Sequence, residues 1–256
     1  MRWHSAIGTT VGMLALWLVP ASFVARHNSD ADVKSYVETH LSQIIERQEK
    51  KLGIGHFGVP KVSYEYPPWV TDEDKASAAP GGYGAEEDTI YIPLEMSVTP
   101  EFSLTNAIRN VAIFGNVFSV EKTLEHELGH FYADKLSECL GKERSFSDQA
   151  KHQIAAHIVS EGIAEYFQRA LNDGQDDFKD SDWPRTPAEF LTEKVIYSGG
   201  FHIVKPIIDR YGTNGIMYLI SNLPHEENLN NLQNYQSRVL QNLSNQNMLA
   251  ETVRVR

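Results

Sequence analysis

Apolar positions recur along this chain mostly at helical spacing. In residues 35–52, Val37, Leu41, Ile44 and Ile45 share one face and predict a first soluble helix. Val120, Leu124, Leu128 and Phe131 keep the same spacing, which predicts a long amphipathic helix to about residue 140. Ser147 or Asp148 can cap the next helix, running to about Leu171. Thr186-Pro187-Ala188-Glu189 is a capping box with proline at the first helical position. The helix it starts should end near Ser198-Gly199-Gly200. Further helical segments follow over 201–211, where Pro206 forces a break or bend, over 214–222, and over about 229–243.

Two short stretches read as strands instead. Residues 59–66 (VPKVSYEY) and 89–92 (TIYI) are rich in β-formers, and a polar, turn-rich stretch through Pro67 and Pro68 to Gly84 separates them. Pro93 marks an end or edge of the sheet. Residues 101–118 are ambiguous, with a helix leading into the next as one reading.

The first 25 residues stand apart. Arg2 precedes an uncharged run over 6–25, long enough for a cleaved export signal or an uncleaved membrane anchor. A buried soluble helix is the third reading. Ala21 and Ala25 are candidate cleavage positions, and no cysteine near the segment supports a lipoprotein route. Asp30 and Asp32 follow it, as expected for an exported chain. The expected organisation is therefore residues 1–28 as export signal or anchor and 29–256 as one domain. Within that domain, 29–140 supply the sheet and one helix, and 141–256 are mainly helical.

Composition adds exclusions. The 256 residues are 41% hydrophobic and 22% charged, ordinary for a globular protein. A net charge of −11 and the lack of any lysine or arginine run argue against a nucleic-acid partner. Cys139 is the single cysteine, so no internal disulfide forms. Its expected role is a small apolar residue near a helix end.

The chemistry concentrates in the long helix. His126, Glu127 and His130 form H-E-x-x-H, which stacks two imidazoles on one helical face. Such a pair suits zinc, and Glu127 can then take a proton from an activated water. Cys139 lies about 13 Å further along the axis and cannot join them. A catalytic zinc usually takes three protein ligands. If the next helix packs antiparallel, helical rise places Glu161 level with the histidine pair and Glu165 one turn beyond, where it can orient His126. His157, four residues before Glu161, is an alternative ligand, whereas His152 reads as exposed. Asp134 could brace His130 or be an exposed charge, and Glu121 and Glu125 read as a solvated face. Gly129 and Gly162 each sit inside a helix at a cost of about 1 kcal/mol against alanine, offset if the two helices approach closely.

These residues resemble the gluzincin zinc metallopeptidases over about residues 120–212. Ser160-Glu161-Gly162-Ile163-Ala164-Glu165-Tyr166 is similar to the Asn-Glu-Gly-Phe-Ala-x-Tyr stretch of the aminopeptidase-N-like families, whose glutamate is the third ligand. An acid four residues later, here Glu165, is similar to the thermolysin pattern, where it braces a ligand histidine. Tyr197-Ser198-Gly199-Gly200 resembles a Tyr-x-x-Gly element whose tyrosine stabilises the tetrahedral intermediate, which implies that role for Tyr197, with His202 the weaker candidate. The spacing from His130 to Glu161 is longer than in either group. The Gly-x-Met-Glu-Asn element that binds a substrate amino terminus is absent, and Ala133 and Leu136 exclude the metzincin motif.

The resemblance implies a zincin-like α+β fold. A small N-terminal sheet would lie over two active-site helices, with residues 89–92 as the edge strand that receives a peptide, followed by a helical C-terminal part. It implies a zinc-dependent peptide-bond hydrolase, which either export reading of the N-terminal segment would place outside the cytoplasm. That enzyme would have peptide or protein substrates, no nucleic-acid partner, and membrane contact only through the N-terminal segment. The competing readings are a non-catalytic exported domain that binds a protein or peptide, and a zinc hydrolase of a non-peptide amide or ester.

Overall fold

The computed structural model describes residues 30–71, 81–94, 120–142, 145–169, 193–225, 229 and 231–254. The apolar segment over 6–25, the ambiguous stretch 101–118, the acidic loop 172–185 and the capping box 186–189 lie outside the described residues.

Helix α1, Asp30–Leu52, starts five residues before the predicted segment and buries Val37, Leu41, Ile44 and Ile45 as its spacing requires. It stops at Gly53, whose φ of 67° is the left-handed turn that ends many helices. Three short strands follow: β1 Lys61–Ser63, β2 Gly82–Gly84 and β3 Thr89–Tyr91. Their order is β1-β3-β2, with β1 parallel and β2 antiparallel to β3. Ile90 pairs with Val62 on one side and Tyr83 on the other. Thr89–Tyr91 is thus the central strand, not the predicted edge. Pro93 follows the last paired residue and does not obstruct either ladder. β2 lies within the stretch expected to be turn, because Gly-Tyr-Gly has little strand propensity. Its place is fixed by pairing with β3 and by Tyr83, whose ring meets Phe131 edge-on at 6.1 Å.

The helical part begins with α2, Val120–Cys139, which carries the H-E-x-x-H motif. The predicted helix from 147 to 171 is two helices, α3 Phe146–His152 and α4 Ile154–Arg169, divided at the extended residue Gln153. The cap of α3 is Ser145, whose Oγ accepts from the Asp148 amide at 3.0 Å; neither Ser147 nor Asp148 takes that role. Helix α5, Glu193–Ser221, runs through Gly199-Gly200 and Pro206 and breaks only at Gly212, with φ 53° and ψ −134°. The glycine pair does not stop the helix because its lack of side chains serves packing. A Cβ on Gly200 would meet the Ile158 carbonyl and the Gly162 backbone. Helix α6, Leu232–Arg254, packs against α5.

Helix α4 is the hub. It lies between α2 and α5, with α3 alongside, while α1 and the sheet cover other parts of α2. Twelve of its residues, Ala155 to Phe167 without His157, are buried, as expected of a helix enclosed on most sides. The predicted close approach holds at Gly129, where a Cβ would lie 2.5 Å from Ala164 Cα. Gly162 serves a different neighbour, α5, through Gly200. Tyr166, part of the resemblance stretch, ties α4 to α5 by donating to Asp209 at 2.8 Å.

Two acids expected in water are buried. Glu125 is 2% exposed and accepts from Arg47 Nη2 of α1 at 2.5 Å, while Glu121 receives the same nitrogen at 3.3 Å. Asp134 neither braces His130 nor faces solvent. It is buried and accepts from the Ser147 amide at 2.7 Å, which ties α3 to α2. Cys139 closes α2 as an exposed residue rather than a packed one. The described architecture is α+β, mostly helical with one small sheet. No described helix is long and apolar enough to cross a membrane.

Candidate metal centre

The stacking expected of residues four apart brings His126 and His130 together, their ring centroids 5.1 Å apart and nearly perpendicular. From α4, Glu161 reaches between them. One carboxylate oxygen lies 3.3 Å from His126 Nε2 and the other 3.6 Å from His130 Nε2. One ligand atom from each of the three residues lies within 4.8 Å of the others, and Glu161 is buried. The group His126, His130 and Glu161 can hold a metal ion.

Two features fit a cation. Ligand atoms about 2.0–2.2 Å from a tetrahedral zinc would stand roughly 3.3–3.6 Å apart, close to the two Glu161 separations. Glu161 Oε2 is also buried, with His126 Nε2 facing it at 3.3 Å, and a buried carboxylate oxygen needs positive charge.

The remaining ring nitrogens are engaged from behind. His126 Nδ1 lies 3.3 Å from Glu165 Oε1, and His130 Nδ1 lies 3.0 Å from Ser160 Oγ. If each Nδ1 carries the proton and donates it, both Nε2 lone pairs face Glu161, which is the ligating tautomer. Glu165 is itself held by Arg169 Nε. The structure thus places Glu165 where helical rise predicted. It adds Ser160 and Arg169, which the sequence reading passed over. Ser160 directly precedes Glu161, and Arg169 stands four residues after Glu165, so both carried a spacing signal.

The electrostatics are mixed. Burial is the largest single influence on His126 and pulls its pKa down, but hydrogen bonding to Glu161 and Glu165 and the charge of Glu127 together hold it well above the usual histidine value. Burial dominates at His130 and lowers it to about 4. At Glu161 burial pushes upward, yet the three neighbouring histidines, His130 first, keep it below the usual carboxylate range. Glu127 is buried, and desolvation raises it to about 7.

The other predicted residues separate clearly. Tyr197, on α5, sits with its ring 5.8 Å from that of His126. His157 Nδ1 is 3.8 Å from Glu161 Oε1 on a partly exposed side chain and lies outside the three-residue group. His152 is exposed, as expected. His202 is partly buried on α5, its carbonyl accepting from Gln236 at 2.6 Å. Gly81, just before β2, lies over the motif: a Cβ there would be 3.0 Å from Glu127 Oε1. Comparisons with protein-family models, curated proteins and solved structures find no match.

Proposed function

We propose that this chain is a zinc-dependent hydrolase of peptide bonds with a gluzincin-like, zincin-type fold. The observation that carries the reading is the convergence of His126, His130 and Glu161, with the buried carboxyl of Glu127 on the same turn as the two histidines. His126, His130 and Glu161 would hold the ion, and a bound zinc would acidify the attacking water and polarise the scissile carbonyl. Glu127 takes the proton from that water at its carboxylate and passes it to the leaving amine. A pKa raised towards neutrality suits a group that must do both. Tyr197, beside His126, donates a hydrogen bond to the developing oxyanion.

The substrate-binding edge moves from β3 to β2. Among the described residues no strand pairs with the outer side of β2, and Gly81 brings its start to Glu127. An extended peptide paired there would pass its scissile bond over the general base. The apolar segment over 6–25 supports action outside the cytoplasm.

A peptide library incubated with the zinc-loaded protein tests the activity. Cleavage that a chelator abolishes and zinc restores is expected. Absence of cleavage with zinc bound would favour the non-catalytic binding domain, and hydrolysis confined to small amides or esters would move the substrate class.

A further inference from the structure

The carboxylate behind His126 does not stand alone. Glu165 uses Oε1 towards His126 Nδ1 at 3.3 Å and Oε2 towards Arg169 Nε. With both oxygens engaged, the carboxylate cannot rotate freely about its last torsion, and the plane it offers to the imidazole is set from the far side. An exposed glutamate–arginine pair at this spacing would be weak and dispensable. This pair is neither exposed nor remote, since the side chains are 8% and 20% exposed and the glutamate touches a residue of the metal group.

Charge points the same way. The Glu165 carboxylate is buried, and Arg169 faces it with a positive charge without belonging to the three-residue group. Its place in the last turn of α4 also suits the negative end of the helix dipole.

We propose that Arg169 is a positioning residue of the metal centre, acting through Glu165 on the imidazole of His126. The inference rests on the zinc-site reading above. Its chain of contacts runs Arg169, Glu165, His126, and then the ion.

The test is zinc affinity by chelator competition on the full chain, for wild type, Arg169→Lys, Arg169→Met, Glu165→Gln and the double variant Glu165→Gln/Arg169→Met. Cobalt-loaded samples give a visible spectrum that reports geometry at the ion. Loss of an outer partner typically weakens metal binding about 10–100-fold, so Arg169→Met is expected at about 10-fold and Arg169→Lys at less. The double variant should bind within about twofold of Glu165→Gln alone, because the contact through which Arg169 acts on His126 is already removed. Full zinc affinity and an unchanged cobalt spectrum in Arg169→Met would overturn the relay while leaving the site intact. An absence of zinc binding in wild type would overturn both. Where Arg169→Met does not fold, because Glu165 is left buried without the guanidinium, a second variant carries the test. Arg169→Lys, which keeps the charge, then decides: zinc affinity about threefold below wild type with a shifted cobalt spectrum supports the relay, and wild-type affinity with an unchanged spectrum refutes it, as does a double variant more than about threefold below Glu165→Gln.

Discussion

Ser160 Oγ lies 3.0 Å from His130 Nδ1, with both residues near the middle of the interface between α2 and α4. With the Nδ1 proton donated to Ser160, the His130 Nε2 lone pair faces Glu161, which is the ligating tautomer. Ser160→Ala should therefore weaken zinc binding about 10-fold while leaving the helical content unchanged, as seen by chelator competition and circular dichroism. Equal affinity in the variant would mean that packing alone sets the His130 ring.

Under the proposed function Glu127 is the base and not a ligand. Glu127→Gln keeps the size and removes the proton acceptor, so turnover should fall by about 10²–10⁴-fold with zinc content unchanged. Peptide turnover and metal analysis on the same sample separate the two roles. Zinc lost together with activity would instead place Glu127 among the ligands.

Asp134 predicts a pH effect on stability away from the metal. Burial raises its pKa from 3.8 to about 6, although the Ser147 amide opposes this. A raised folded-state pKa means that between about pH 4 and 6 the unfolded chain releases this proton while the folded chain keeps it. Stability from this residue therefore falls as pH rises through that window and stays reduced above it. Asp134→Asn keeps an acceptor for the Ser147 amide and removes the buried charge. Its unfolding free energy from urea titration, relative to wild type, should rise between pH 4 and 6, by up to about 3 kcal/mol at pH 7. A pH-independent difference would show that Asp134 titrates normally.

The contact between Gly162 and Gly200 predicts a packing defect. A methyl group at Gly162 meets the Gly200 carbonyl, backbone that cannot swing aside. Gly162→Ala should cost about 1–3 kcal/mol despite the better helix propensity of alanine. A thermal scan showing stabilisation would mean that α4 and α5 are less tightly joined.

The group of His126, His130 and Glu161 was legible because its signals are local. His126 and His130 share a helix turn, and the rise of two antiparallel helices placed Glu161 and Glu165 correctly even though the second helix breaks at Gln153. The break did little harm, since the His157 amide still bonds to the Gln153 carbonyl at 2.9 Å and the two pieces stay in sequence. What was not legible depends on distant partners. Glu125 is buried because Arg47 arrives from a helix 78 residues earlier, and no local pattern announces that. Gly82–Gly84 is a strand only because β3 pairs with it. Gly199-Gly200 reads as a helix end until Gly162 is seen beneath it.

Zinc per chain, compared between wild type and Glu161→Ala in the fragment from about residue 28 onward, tests the central claim most directly. The expected result is about one zinc per chain in wild type, lost or much weakened in the variant. Zinc retained equally by Glu161→Ala would contradict the assigned ligand set and turn attention to His157, 3.8 Å away. A wild type that takes up no zinc would contradict the account as a whole.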